Sequence, residues 1–574
     1  MKNLSLKQAG VKLAAITAVA ACAVTTAVPA SAAIVPNPIT YSADDAAFSL
    51  TPLGSFDTGV FAQSAAEIVQ YVPGTQRVLT VNAQSGSVDV LNASDPKNLT
   101  KEYAINAAGT VAADGSTIPA GSIANSVAVR EDGLGVVAIE APNKTDAGWL
   151  LYFSATADAP TILGAVRVGS LPDMVTITPN GATALVANEA EPAEDYSVDP
   201  EGSVSVVTLP KTLAANGKGF KGSISQNQVK TAGFHAFENN LPEGVRIFGG
   251  REDATGVKPA FPVSENLEPE YIAVTENGSK AYVSLQEANA VAVLNVNSGK
   301  IEQILPLGTV DRMDIPMDAS DKDKVINLKN WPVQGFRMPD SIGTYKVQGK
   351  DYFVTANEGD SRDWAGYSEE ARVKDLGKDG LPPVCDSVAE SAGTTVKELR
   401  KDENLGRLKI TLAQGLSADG SCYETLYAFG GRGFSIFDPK GNLVFESGAE
   451  FEQITAKAIP SFFNSDHEEA SFDNRSDDKG PEPEGLVIGE VNGRTYAFIG
   501  LERVGGVMVY DITNPHDAKF VTYVNNRDFA TNTGDLGPEG LDFVSAADSP
   551  TGKPLVVVGN EVSGSTTAFE ITVK

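Results

Sequence analysis

Pro172-Asp173-Met174-Val175-Thr176-Ile177-Thr178-Pro179-Asn180-Gly181-Ala182-Thr183-Ala184-Leu185-Val186-Ala187-Asn188-Glu189 reads as a single β-hairpin with a carboxylate at each end. Alternating apolar and β-branched residues supply the two strands, and Pro-Asn-Gly supplies the turn. The stretch recurs. Its opening pair returns as Ala66-Glu67, Asn125-Ser126, Pro269-Glu270, Pro339-Asp340, Pro483-Glu484 and Pro538-Glu539. Its apolar second strand with a polar corner returns at Val136–Glu140, Ala281–Glu287, Tyr352–Glu358, Tyr496–Glu502 and Leu555–Glu561, and a weaker copy sits at Leu426–Arg432. A repeat of this length is one supersecondary unit that buries its faces only by stacking on its neighbours. The spacings that fit a single unit, such as the 47 residues from Ser126 to Asp173, match a four-stranded propeller blade of roughly 40–50 residues.

The sequence therefore predicts an all-β fold, a single β-propeller rather than several domains. Seven openings and one doubtful unit give seven blades, with eight as the alternative. Residues 33–48 are expected to be a linker and residues 49–574 the propeller, interrupted by insertions near 210–268, 311–338, 364–422 and 452–482. The C-terminal unit has only about three strands, and Phe48 to Phe56 is expected to pair there as the fourth, which removes open sheet edges.

The 574 residues carry a net charge of −29, from 45 Lys+Arg against 74 Asp+Glu. Such a surface repels phosphate backbones and excludes sequence-independent nucleic-acid binding. Three widely separated histidines, His235, His467 and His516, argue against a multi-histidine metal centre. No Walker loop, G-x-S-x-G elbow or H-E-x-x-H motif occurs, and nothing suggests haem or nucleotide. Lys2, Lys7 and Lys12 precede an apolar run that ends at Ala30-Ser31-Ala32, an A-x-A cleavage site. Residues 1–32 read as an export signal with Ala33 first in the mature chain. A lipoprotein-type box ending at Cys22 is the alternative. The expected location is secreted or cell-surface, with no transmembrane segment and a monomeric chain. Cys385 and Cys422 then remain as an even pair in an exported protein, which predicts a disulfide.

The same position in every blade of a propeller forms a ring around the central channel. The opening acids Glu67, Asp173, Glu270, Asp340, Glu484 and Glu539 and the corner acids Glu140, Glu189, Glu287, Glu358, Glu502 and Glu561 should meet at one mouth. So many carboxylates cannot all stay ionised without cations. Hard divalent ions, Ca²⁺ above all, are the natural partners. The expected metal ligands are Asp173, Glu189, Glu270, Glu287, Asp340, Glu358, Asp360, Glu484, Glu502, Glu539 and Glu561. Two dense runs, Asn357 to Trp364 and Asp473 to Gly485, interleave carboxylates with arginine, a pattern suited to a metal-bound phosphate ester. Glu358, Asp360, Arg362, Arg432 and Arg475 are the candidate catalytic set. Asp318-Ala319-Ser320-Asp321-Lys322-Asp323 has oxygen-ligand spacing but no EF-hand glycine.

Pro339-Asp340-Ser341-Ile342, Thr355 to Asp363, Phe429-Gly430-Gly431-Arg432 and Arg475 to Gly485 resemble the choice-of-anchor I family. That family is similar to mesenchyme-specific cell-surface glycoproteins and to phytase- and alkaline-phosphatase-like β-propellers. The resemblance implies an exported propeller at the cell surface, with animal relatives tied to calcium biomineral. Many relatives carry a C-terminal anchor, which this chain is expected to lack. Two functions follow as expectations. The first is a metal-dependent phosphoesterase, with Ca²⁺ activating water against phosphate esters. The second is a non-catalytic calcium-binding protein that contacts cell-envelope or extracellular components.

Overall fold

The computed structural model describes residues 34–214, 217, 219–248 and 260–574. The proposed export signal lies outside them. Among the described residues, seven sheets of four or five antiparallel strands follow one another along the chain. Blades 1 to 4 begin with the innermost strands Val69–Val72, Ile123–Val129, Pro172–Ile177 and Pro269–Val274. Blades 5 to 7 begin with Ile342–Val347, Pro483–Val491 and Pro538–Val544. The fold is a seven-bladed β-propeller.

Packing closes the ring. A separate apolar layer fills each of the seven gaps between blades. Between blades 7 and 1, for example, Val544, Leu555 and Val557 face Val69, Tyr71 and Val78. A middle strand is therefore buried on both faces and reads as a continuous apolar run. In Arg77–Asn82 every residue is buried. Each fully buried Val or Leu contributes roughly 1.5–3 kcal/mol, so the ring is held by layers spread evenly around it.

The chain termini complete this ring. Phe48–Asp57 pairs antiparallel with Ser565–Val573 as the outer strand of blade 7. Phe48, buried against Tyr496 and Phe498, carries that strand's packing into blade 6. The stretch expected to be a linker is partly a strand: Ile39–Ser42 pairs with Lys519–Asn525 as a fifth strand on blade 6. The N-terminal segment thus stitches the last two blades together.

The interval between Asp340 and Glu484 holds one blade, so the expected seven blades are present and the eight-blade alternative falls. The doubtful unit at Leu426 is Tyr427–Ala428, which pairs with Gln334–Phe336 in a small sheet outside the blades. The predicted insertion near 210–268 contains the outer strand of blade 3, Val229–Gly233. The insertion in blade 5 has a core of its own, with Trp331, Val373, Leu376, Leu405 and Tyr423 packed together. Cys385 and Cys422 form a disulfide inside it, with Cα atoms 5.1 Å apart. Among the described residues no helix is long and apolar enough to cross a membrane.

The bridge closes a 37-residue separation and should contribute about 3–4 kcal/mol by chain entropy. Because the insertion has its own core, that loss should stay local. Reduction, or a Cys385→Ala/Cys422→Ala variant, is expected to expose residues 376–424 to limited proteolysis while the circular-dichroism spectrum of the blades persists. Global unfolding on reduction would show instead that the insertion and the propeller form one cooperative unit.

Candidate metal centre

Five of the seven blades open their innermost strand with a local irregularity. In blade 3, Pro172 pairs with Asn188 and Val175 with Val186, so Asp173 and Met174 together oppose the single residue Ala187. The same shift follows Pro269, Pro483 and Pro538, and one extra residue, Asn125, bulges in blade 2. Proline suits the place because it begins a strand and has no N–H to give the ladder. A bulge re-aims the side chain it carries. The opening positions of all seven blades, bulged or not, bring Glu67, Asn125, Asp173, Glu270, Asp340, Glu484 and Glu539 to one cavity of about 760 Å³.

The glycines after two of these acids are required by close approach. A Cβ at Gly485 would lie 1.7 Å from the carbonyl oxygen of Glu539, and one at Gly540 would lie 2.6 Å from Ile68 Cα. The innermost strands converge so tightly that only glycine fits. This is the physical content of the repeated Pro-Glu-Gly.

Register also decides the corner positions. Glu140, Glu189, Glu358, Glu502 and Glu561 line the cavity, and in blade 1 the corner is Ala83. In blade 4, Pro269 pairs with Leu285, which makes Gln286 the corner residue. Gln286 lines the cavity and its Nε2 donates to Glu358 Oε2 at 2.7 Å. Glu287, predicted to be a ligand, falls one residue beyond the corner and is not part of the lining.

Fourteen carboxylates line the cavity, against three permanent cations, Lys144, Lys479 and Arg503. Burial pushes Glu67, Glu189, Glu270, Asp340, Glu484 and Glu539 well above the usual carboxylate range, and neighbouring acids push them further. Burial, then Glu191 and Glu140, raise Asp173 to about 7. Burial, then Glu502, raise Glu561 to about 7. One sector is neutralised. Lys479 Nζ lies 2.8 Å from Glu358 Oε1, 3.2 Å from Asp360 and 3.3 Å from Glu482. Burial favours the neutral acid at Glu482, but Lys479, Arg475 and Arg503 outweigh it and hold Glu482 well below the usual range.

Four groups have ligand atoms all within 4.8 Å of one another: Asp340/Glu358/Glu484, Glu67/Glu539/Glu561, Glu358/Glu482/Glu502 and His467/Glu502/Glu561. The first three offer oxygen alone, the donor set of a hard cation. His467, Glu482 and Glu191 were not in the expected set. Glu191 follows the corner Glu189 by two residues and pairs with Lys144 at 2.9 Å, so its signal was present in Asn188-Glu189-Ala190-Glu191. His467 and Glu482 come from an insertion and carry no repeat signature.

The three arginines expected to hold phosphate do not line the cavity. Arg362 is fully buried, with Nη2 2.6 Å from Glu268 and Nη1 donating to the Tyr196 hydroxyl at 2.8 Å. Arg432 pairs with Glu452 at 2.9 Å and donates to the carbonyls of Asp318, Ser476 and Asp478. Arg475 sits on Glu482 at 2.6 Å and Asp478 at 3.1 Å. Each is consumed by structural pairing, because an arginine at the foot of a long insertion is the donor-rich group best able to fasten it. Asp360 does line the cavity, but its exposed carboxylate is paired with Lys479.

Asp173 and Glu561 keep their protons to about pH 7 when folded and release them near pH 4 when unfolded. Their burial is therefore tolerated at low pH and opposes folding as pH rises through 7. In chelator, the melting temperature is expected to fall between pH 6 and pH 8. A rise across that interval would mean that these carboxylates are compensated in some other way.

The chain is 31% identical over 284 residues to the mesenchyme-specific cell surface glycoprotein of Strongylocentrotus purpuratus, covering 43% of this chain and 35% of the glycoprotein. It is 28% identical over 193 residues to gigasin-3a of Magallana gigas, covering 31% of this chain and 68% of gigasin-3a. The match thus spans about a third of the glycoprotein's length. Among solved structures, it is similar to Kuenenia stuttgartiensis hydrazine synthase, with a TM-score of 0.42 and 11% identity over 90% of this chain and 100% of that one. It is also similar to the β-propeller domain of Myceliophteria thermophila Cps50 (Swd1), with a TM-score of 0.39 and 7% identity over 91% of this chain and 100% of that one. The choice-of-anchor I domain matches residues 67–515, from the first opening acid into blade 6, and the chain belongs to that family.

Proposed function

We propose that this protein is an extracellular or cell-surface β-propeller that binds Ca²⁺ at its acidic mouth and uses it for adhesion or ligand contact rather than catalysis. One observation carries the reading. Six opening acids and five corner acids converge on one cavity, and the three arginines that a phosphate site needed are bound elsewhere. Oxygen-only triads such as Asp340/Glu358/Glu484 suit Ca²⁺, which accepts six to eight oxygens in flexible geometry. The N-terminal stretch read as an export signal, the family, and the cell-surface name of the sea-urchin relative support the location.

A second reading, hydrolysis of phosphate esters by metal-activated water, is favoured by Lys479 and Arg503. Both stand beside the triads, where they could meet an anion held on the metal.

At a hundred times its dissociation constant, Ca²⁺ should stabilise the fold by about 2.7 kcal/mol. For a chain of this size that is a rise of roughly 2–3 °C in melting temperature. A Glu358→Gln/Glu484→Gln variant should lose most of the rise. Superimposable melts in calcium and in chelator would remove the calcium reading. Calcium-dependent turnover of a phosphomonoester or diester, abolished in the same variant, would replace the binding reading with the hydrolytic one.

A further inference from the structure

Two of the ligand groups at the mouth share one residue. Glu358 belongs to Asp340/Glu358/Glu484 and to Glu358/Glu482/Glu502, each with ligand atoms within 4.8 Å of one another. The protein answers one of these groups with a cation of its own. Lys479 Nζ lies 2.8 Å from Glu358 Oε1 and 3.3 Å from Glu482 Oε2, and the Glu502 charge also favours the ammonium. The ammonium thus stands between two members of one triad, on a carboxylate that the other triad also needs.

The acids around Lys479 depend on it unequally. Glu482 is also paired with Arg475 at 2.6 Å and with Arg503 at 3.0 Å. Asp360 has an exposed carboxylate that water can solvate. Glu358 is buried, its Oε2 accepts from the neutral Gln286 amide, and Lys479 is its only ion-pair partner among the described residues. Taking Lys479 away would leave Glu358 as an uncompensated buried charge unless another cation arrived. Asp340 and Glu484 stand ready to hold that cation. Neither is paired with a lysine or arginine among the described residues, and Glu484 Oε2 is buried without a hydrogen-bond partner.

The lysine can yield while its backbone stays in place. Arg432 holds the carbonyls of Ser476 and Asp478, and the Gly480 N–H donates to the carbonyl of Arg475 at 2.9 Å. The chain is thus anchored on both sides of Lys479, and only its flexible stem needs to turn. The exposed carboxylate of Asp360, 3.2 Å from Nζ, is where the ammonium can remain paired after it leaves Glu358.

We infer that Lys479 is a built-in competitor for the metal of the mouth: a divalent ion held by Asp340, Glu358 and Glu484 displaces its ammonium from Glu358. The inference rests on the calcium reading given above and adds how that site is regulated. It also bears on selectivity. A monovalent ion that displaced the ammonium would exchange one unit charge for another, whereas a divalent ion brings twice the charge to the same carboxylates. Lys479 thereby sets the mouth against sodium and potassium, and it raises the Ca²⁺ concentration at which the site fills.

Amine labelling and calorimetry test it on the full mature chain with its disulfide intact. An N-hydroxysuccinimide ester is applied in chelator and at saturating Ca²⁺, and the peptide carrying Lys479 is quantified by mass spectrometry. In chelator Lys479 is 7% exposed and ion-paired, so its labelling should be slow, and Ca²⁺ should raise it several-fold. In calorimetric titration Lys479→Gln should bind Ca²⁺ about tenfold more tightly than wild type, a coupling of ordinary size. Lys144→Gln removes a cavity cation that pairs with Glu191, outside both triads, and should change the affinity far less. Labelling needs no variant, so it decides the matter even if Lys479→Gln does not fold. Ca²⁺ bound by wild type with the labelling of Lys479 unchanged would overturn the displacement and leave the calcium reading standing. An equal gain in Lys144→Gln would overturn it too, as the general field of the cavity. No binding by wild type or by Lys479→Gln would overturn both readings, whereas binding by Lys479→Gln alone would uphold the competitor and correct the calcium reading for wild type.

Discussion

A closed ring of seven blades imposes like-charge crowding. Any residue repeated at the start of the innermost strand is carried to the same height around the same axis, and here that residue is a carboxylate in six blades of seven. The strands cannot spread to relieve the repulsion, because seven apolar layers clamp each blade to its neighbours and Gly485 and Gly540 allow the backbones to touch. Electrostatic strain at the mouth is thus maintained by hydrophobic packing around it. Removing the charge by protonation, or matching it with cations, are the two ways such a cavity can settle.

The protein supplies part of the match itself, unevenly. Lys479 reaches in from an insertion to Glu358 and Asp360, and Glu482 stays ionised beneath it between Arg475 and Arg503. Across the cavity, Asp173, Glu270, Glu539 and Glu67 have no such partner among the described residues, and their carboxyls are raised. This division makes one sector a preformed ion-pair network and leaves the other with its acids crowded against one another. The remaining arginines work behind the mouth. Arg362 locks onto Glu268 and Tyr196, and Arg246 pairs with Glu369 from the blade 5 insertion. The long insertions are held to the rim by buried charge pairs whose loss would leave single charges in the interior.

The repeat made the blades legible, because apolar runs, turns and opening acids recur at fixed offsets, and a bulge that recurs in the structure follows the recurring proline. It made the ring of acids legible for the same reason. It failed where one residue shifts the register: Gln286 takes the corner that Glu287 was expected to hold, since the pairing of Pro269 with Leu285 is set by packing across the sheet and not by the spelling of the corner. It failed again for residues that belong to no repeat, such as His467 and Glu482.

The sequence by itself determined an all-β repeat protein, a strongly acidic surface, the positions of most of the mouth's carboxylates and the cysteine pair. Those properties are local or periodic, and a linear pattern records them. Only the tertiary structure decided which charges meet. Arg362 turns to Glu268, Arg432 to Glu452 and Arg475 to Glu482 within its own run, and none of the three lines the cavity. A side chain's partner is chosen by distance in three dimensions and by the cost of burying a charge alone, and neither quantity is written in the order of the residues.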